Sequence, residues 1–79
     1  MNIRIRYFGQ VAELTGTNEE IKNLDIGCDL NDIESEIRSK YELDNTYYRI
    51  ALNQNITDNK ETMLNDNDEV AFMPPFAGG

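Results

Sequence analysis

Seventy-nine residues allow one small domain and no large internal cavity, because a chain of this length buries only about 60 to 70% of the surface it exposes when unfolded. Fifteen acidic residues against seven basic ones give a formal charge of −8, which repels nucleic acid and suits a basic protein partner. The lack of histidine removes the usual general base near neutral pH and the commonest metal ligand, and a single cysteine, Cys28, excludes an intrachain disulfide or a thiolate zinc cluster.

Ile3, Ile5 and Tyr7 alternate with Arg4, Arg6 and Phe8, which predicts a half-buried strand from the first residues. The charges in that alternation interrupt any apolar run, so the N-terminus reads as neither a signal peptide nor a membrane span, and the chain as cytoplasmic. Residues 10–14 predict a single helical turn, with Gly16 where a C-terminal cap falls. Lys22, Leu24 and Ile26 alternate towards Gly27 and predict a second strand returning beside the first, although Ile21 breaks the pattern.

Asp29 is a good N-cap for the main helix, and Leu30, Ile33, Ile37 and Tyr41 share one face at spacings of three and four. Glu34 with Arg38, and Glu36 with Lys40, are i,i+4 pairs that read as a solvated face. Tyr48, Ile50 and Leu52 alternate with Tyr47, Arg49 and Ala51 in a third strand, which Asn53-Gln54-Asn55 turns back to a short extended piece at Ile56. Asn65-Asp66-Asn67-Asp68 is a dense turn signal before a last strand, Glu69-Val70-Ala71-Phe72-Met73. One main helix and four or five short strands bury their apolar faces most economically as an α+β roll with a mixed sheet.

After residues 1–73, the predicted domain, Pro74-Pro75-Phe76-Ala77-Gly78-Gly79 form a tail in which no regular element continues, since proline lacks an N–H and fixes φ. Two prolines favour an extended polyproline II course, with a reach of roughly 20 Å for six residues. Phe76 is then exposed on the free protein, and Gly78 and Gly79 lack the Cβ that bars passage through a narrow channel. Phe8, Phe72, Met73 and Phe76 are candidate docking residues, since aromatic and methionine anchors dominate interface energies; for Phe8 and Phe72 the core is an equal alternative. Cys28 reads as a turn residue, and Asp58, Glu61, Asp66, Asp68 and Glu69 as a solvated acidic face rather than a cation site.

Three stretches carry a resemblance to a known family: Ile5-Arg6-Tyr7-Phe8-Gly9-Gln10-Val11-Ala12-Glu13-Leu14-Thr15-Gly16, Ile50-Ala51-Leu52-Asn53, and Leu64-Asn65-Asp66-Asn67-Asp68-Glu69-Val70-Ala71-Phe72-Met73-Pro74-Pro75 followed by Gly78-Gly79. The whole chain resembles the ubiquitin-like sulfur carriers, in particular the small subunits of molybdopterin synthases. The resemblance implies a β-grasp fold and a carrier that is inert alone. Its terminal Gly79 is adenylated by a ubiquitin-activating-like adenylyltransferase that uses ATP and Mg, and is then converted to a thiocarboxylate by a sulfur donor such as a cysteine desulfurase or rhodanese-type protein.

The implied acceptor is a cyclic pyranopterin monophosphate in the active site of the large synthase subunit, within a heterotetramer of two small and two large subunits. Gly78 gives clearance, Pro74 and Pro75 hold the exit direction, and Phe76, Ala77, Phe72, Met73 and Phe8 meet the partner. The chain itself binds no cofactor and no metal on this reading, and contacts neither nucleic acid nor membrane. Two alternatives keep the same ending: a thiazole-synthesis sulfur carrier for thiamin, and a ubiquitin-like protein modifier or interaction module.

Overall fold

The computed structural model describes residues 1–76, so the expectations for Ala77, Gly78 and Gly79 fall outside the described residues. In chain order the elements are β1 (Asn2–Tyr7), α1 (Gly9–Thr15), β2 (Glu19–Asn23), α2 (Leu30–Lys40), β3 (Arg49–Leu52), β4 (Asn55–Ile56) and β5 (Glu69–Met73). The strands form one five-stranded sheet in the order β2-β1-β5-β3-β4. β1 and β5 run parallel at its centre, with Ile5 opposite Val70 and Tyr7 opposite Phe72, and the other pairs are antiparallel. With α2 crossing between β2 and β3, this is a β-grasp roll.

The core lies between α2 and one sheet face. Strand alternation sends Ile3, Ile5 and Tyr7 of β1, Val70 and Phe72 of β5 and Ile50 of β3 towards α2, where Leu30, Ile33 and Ile37 meet them. Each such fully buried side chain is worth roughly 1.5–3 kcal/mol of transfer free energy. Tyr7 carries its hydroxyl in with the ring: it donates to Glu20 at 3.0 Å, and Tyr41 donates to the other Glu20 oxygen at 2.8 Å. Burial, and then the Glu20 carboxylate, push the Tyr7 pKa far above the ordinary phenol range.

Local chemistry sets the boundaries. Asp29 accepts from the Asp32 N–H while the Asp32 carboxylate accepts from the Asp29 N–H, a capping box that starts α2. α2 ends where Glu42 turns left-handed at φ 55° and the Leu43 N–H donates to the Arg38 carbonyl, which drops Leu43 into the core. Asn53 and Gln54, at φ 49° and 71°, form the tight turn between β3 and β4. Asn53 also ties that turn to β5, accepting from the Glu69 N–H and donating to Asp68, each at 2.9 Å.

Several expectations change. α1 runs from Gly9 to Thr15, longer than one turn, and Gly16 caps it at φ 76° as foreseen. β2 begins at Glu19 and ends at Asn23, and Ile26, expected in that strand, is 91% exposed in the following turn. β3 begins only at Arg49, leaving Tyr47 and Tyr48 in the preceding loop.

Glu34 does not belong to a solvated face. It is buried, and accepts from Lys60 at 2.8 Å and from Arg38 and Tyr48 at 2.9 Å each. Burial alone would raise its pKa. The Lys60 and Tyr48 hydrogen bonds, with the Lys60 and Arg38 charges, outweigh that and hold it below the ordinary range. Asp68 is likewise buried, accepting from the Asn65 N–H and from Asn53, so it shapes the turn rather than joining an acidic surface.

Candidate functional site

Alternation along β1 and β5 leaves Arg4, Arg6, Phe8, Glu69, Ala71 and Met73 on the face opposite α2, joined by Arg49 and Ala51 of β3 and Ile56 of β4. No helix covers this open face among the described residues. Ala51 and Ala71 lie opposite each other in the ladder and form a low floor, with Phe8, Met73 and Ile56 rising around a groove of about 250 Å³. The Arg6 guanidinium stacks over the Phe8 ring at 5.0 Å, which holds the half-buried ring at the rim.

Phe8 is also the link to the tail. Its N–H donates to the Phe72 carbonyl at 3.0 Å, so β1 and β5 stay paired up to the point where both strands end. The next residue, Gly9, has φ +58°, and a Cβ placed there would lie 3.2 Å from Cγ of Pro74. Glycine is needed at this position for both reasons: the left-handed backbone and the close seat of the Pro74 ring.

Beyond Pro74 the chain turns at Pro75 and Phe76 instead of continuing extended. Proline fits the second position of a turn because its φ is already set near −65°. Phe76 is 83% exposed, as is Tyr47. Both line a groove of about 280 Å³ together with Phe8, Gln10, Asn45, Pro74 and Pro75.

Of the predicted docking residues, the fold thus brings together Phe8, Met73, Pro74, Pro75 and Phe76. Phe72 is corrected: it is fully buried, packed at 5.7 Å from the Tyr7 ring and 5.1 Å from the Tyr48 ring, because its place in the β5 alternation points it at α2. Tyr47, Ile56, Ala51 and Ala71 were not singled out from the sequence. The available signal was the Tyr47-Tyr48 doublet, in which the second ring packs inward and the first stays out. Cys28 is half-buried after the turn at Gly27, far along the chain from the tail exit.

The open face is not the acidic one. Arg4, Arg6 and Arg49 stand on it, with Glu19 at 2.9 Å from Arg4 and Asp58 at 3.6 Å from Arg49 as local partners. The groups of a docking partner here would meet an apolar floor and a near-balanced rim. Among the described residues no cluster of three or more His, Cys, Asp or Glu is placed to hold a metal ion, and no helix is long and apolar enough to cross a membrane.

Residues 5–79 match the model of the ThiS family. The molybdopterin synthase sulfur carrier subunit of Chlamydomonas reinhardtii is 31% identical, with the alignment covering all of both chains. The subunit of the same name from Mycobacterium tuberculosis is 35% identical over all of this chain and 99% of that one. A chain from the complex of subunits 1 and 2 of the molybdopterin-converting factor of Helicobacter pylori superposes over the full length of both, at 27% identity and a TM-score of 0.74.

Proposed function

The chain belongs to the ThiS family, and from that premise we propose that it is the sulfur carrier subunit of a molybdopterin synthase, with the Gly79 carboxyl as the group that bears the sulfur. One observation carries the reading: Pro74, seated on Gly9, launches the C-terminus from the margin of the helix-free sheet face, between Phe8 and the exposed Phe76. The full-length relatives named as molybdopterin synthase sulfur carriers favour this acceptor over a thiazole precursor.

The chemistry follows from what a carboxylate lacks. An ionised terminal carboxylate, with a pKa of about 3.5, repels nucleophiles and has no good leaving group. Attack of its oxygen on the α-phosphorus of ATP, in an activating enzyme that holds the Mg, releases pyrophosphate and yields an acyl-adenylate. A donor persulfide then adds to the Gly79 carbonyl carbon and expels AMP. A second thiolate cleaves the resulting S–S bond, leaving the thiocarboxylate on Gly79 and a disulfide on the donor side.

No side chain of this protein needs to move a proton in these steps. Its contribution is a reactive group on a guided tether, which lowers the barrier in the partner's site by proximity. The large subunit binds the open face through Phe8, Met73 and Phe76, and supplies the acids and bases that pass sulfur to a cyclic pyranopterin monophosphate. Gly78 keeps the approach to Gly79 free of a Cβ.

Affinity copurification from the native host tests this assignment. Recovery of a molybdopterin synthase large subunit is expected. Recovery of a thiazole synthase instead, or of covalent conjugates of higher mass, would overturn it.

A further inference from the structure

The outer edge of β2 has no strand beside it among the described residues. Its backbone polarity can be read from the ladder to β1. Met1 and Leu24 exchange both bonds, at 2.7 and 2.8 Å, and the Tyr7 N–H donates to the Asn18 carbonyl at 2.9 Å. Bonded and non-bonded pairs alternate along an antiparallel ladder. Asn18, Glu20, Lys22 and Leu24 therefore aim their backbone groups at β1, while Glu19, Ile21 and Asn23 aim theirs outward.

Natural edges are blunted by proline, a bulge or inward charge. β2 has neither proline nor bulge, and its inward charges, Glu20 and Lys22, are already taken up by Lys40 and Glu36 of α2. Here the central residue is Ile21, 61% exposed on the open side of the sheet. We propose that the β2 edge pairs antiparallel with the same edge of a second copy of this chain, in the register that sets Ile21 opposite Ile21.

The sequence Glu19-Glu20-Ile21-Lys22-Asn23 selects both the occupant and the register. Outward groups meet outward groups only when Ile21 faces Glu19, Ile21 or Asn23 of the other copy. Facing Glu19 sets Glu20 against Glu20, and facing Asn23 sets Lys22 against Lys22. The centred register instead sets Glu20 against Lys22 on both sides of an Ile21–Ile21 pair. Opposite charges and β-branched pairs directly across a ladder are favourable, whereas like charges there are destabilising.

On the α2 side, Lys22 already lies 2.8 Å from Glu36, and Glu20 3.9 Å from Lys40, so the new cross-strand pairs extend existing ones. The contact is isologous, with its two-fold axis through Ile21. It joins two sheets edge to edge, places the two Pro74 exits at opposite ends and leaves both open faces free.

Two features keep the association weak. A strand edge buries less than the roughly 800 Å² per partner of a standard interface. In addition, the Thr17 hydroxyl donates to the Glu19 carbonyl at 3.1 Å and accepts from the Glu19 N–H at 3.4 Å, competing with the outermost bonds of the new ladder.

Sedimentation equilibrium of the full chain up to ~1 mM, in about 0.3 M salt to screen the net charge, tests the pairing. A monomer–dimer equilibrium is expected. Ile21→Lys should raise its Kd by at least about tenfold, and Thr17→Val should lower it. Hydrogen exchange should slow with concentration at the Ile21 and Asn23 amides and stay constant at Glu20 and Lys22. A chain monomeric across the range, a dimer untouched by Ile21→Lys, or concentration-dependent protection at Glu20 and Lys22 would overturn the proposal.

Discussion

Replacing Gly9 with alanine separates the two reasons for glycine at the tail exit, provided Gly16→Ala is measured beside it. Gly16 has φ +76° and nothing within 4 Å of an added Cβ, so alanine there meets only the backbone term. That term is about 1–2 kcal/mol for a left-handed non-glycine residue, reduced by about 0.4–1 kcal/mol because alanine also restricts the unfolded chain. A net loss of about 1 kcal/mol is expected for Gly16→Ala.

Gly9 has a similar φ of +58°, but its new Cβ would sit 3.2 Å from the Pro74 ring, which must give by a few tenths of an ångström. Overpacking of this kind adds about 1 kcal/mol or more. Because the ring is rigid, the displacement passes to the Pro74 backbone and so to the direction of the tail. Urea denaturation should show Gly9→Ala the less stable of the two by about 1 kcal/mol, or about 4–8 °C in Tm for a domain of this size. Calorimetric titration with the large subunit should show weaker binding for Gly9→Ala only. Equal stability and equal affinity for the two variants would refute the idea that the Gly9–Pro74 contact aims the tail.

Glu34→Ala should cost about 2–3 kcal/mol, since it strands Lys60 and Arg38 beside an empty buried site; chemical denaturation at neutral pH reads this directly. The depressed Glu34 pKa means that its contribution is complete above the unfolded value of about 4.3 and fades as pH falls through the lower folded value. The acid limb of a Tm–pH profile should therefore flatten in Glu34→Gln. Gln54→Gly should stabilise the β3–β4 turn by about 0.5–1 kcal/mol, because Gln54 stands at φ 71° where glycine carries no steric penalty; a thermal melt checks the sign. Phe76→Ala should leave the melting curve unchanged and weaken large-subunit binding, while Phe72→Ala should cost about 3–5 kcal/mol of stability.

The elements legible in the sequence were those whose pattern and packing agree. Ile3, Ile5 and Tyr7 alternate and all three are buried; Leu30, Ile33 and Ile37 share a helical face and meet them. Asp29 capped α2 in fact as in expectation, and Asn53 and Asn67 turned the chain with the positive φ that asparagine tolerates. The tail exit after Met73 was legible because proline cannot continue a ladder.

Where polar residues do structural work, periodicity had nothing to detect. The apolar alternation points past β2 because the strand's α2-facing residues are Glu20 and Lys22: one is held by two tyrosine hydroxyls and the other by Glu36, so no such pattern marks the strand itself. Glu34 and Asp68 looked solvated because their partners, Lys60 and Tyr48 for one and Asn53 for the other, are distant in sequence. Leu43 entered the core only through the left-handed Glu42, a conformation that glutamate does not advertise. Ala51 and Ala71 carry no sequence signal as parts of the site, because a small residue signals by what it lacks and the groove they floor is walled by Phe8 and Ile56 from distant parts of the chain.

The carrier role itself is tested most directly by intact-mass measurement of the purified chain after incubation with a cognate activating enzyme, Mg-ATP and a sulfur donor. A gain equal to the replacement of one oxygen by sulfur, absent when Gly79 is deleted, is the predicted result. An unchanged mass with an activating enzyme shown to be active on another carrier, or the same gain in the Gly79 deletion, would contradict the assignment of Gly79 as the sulfur-bearing terminus.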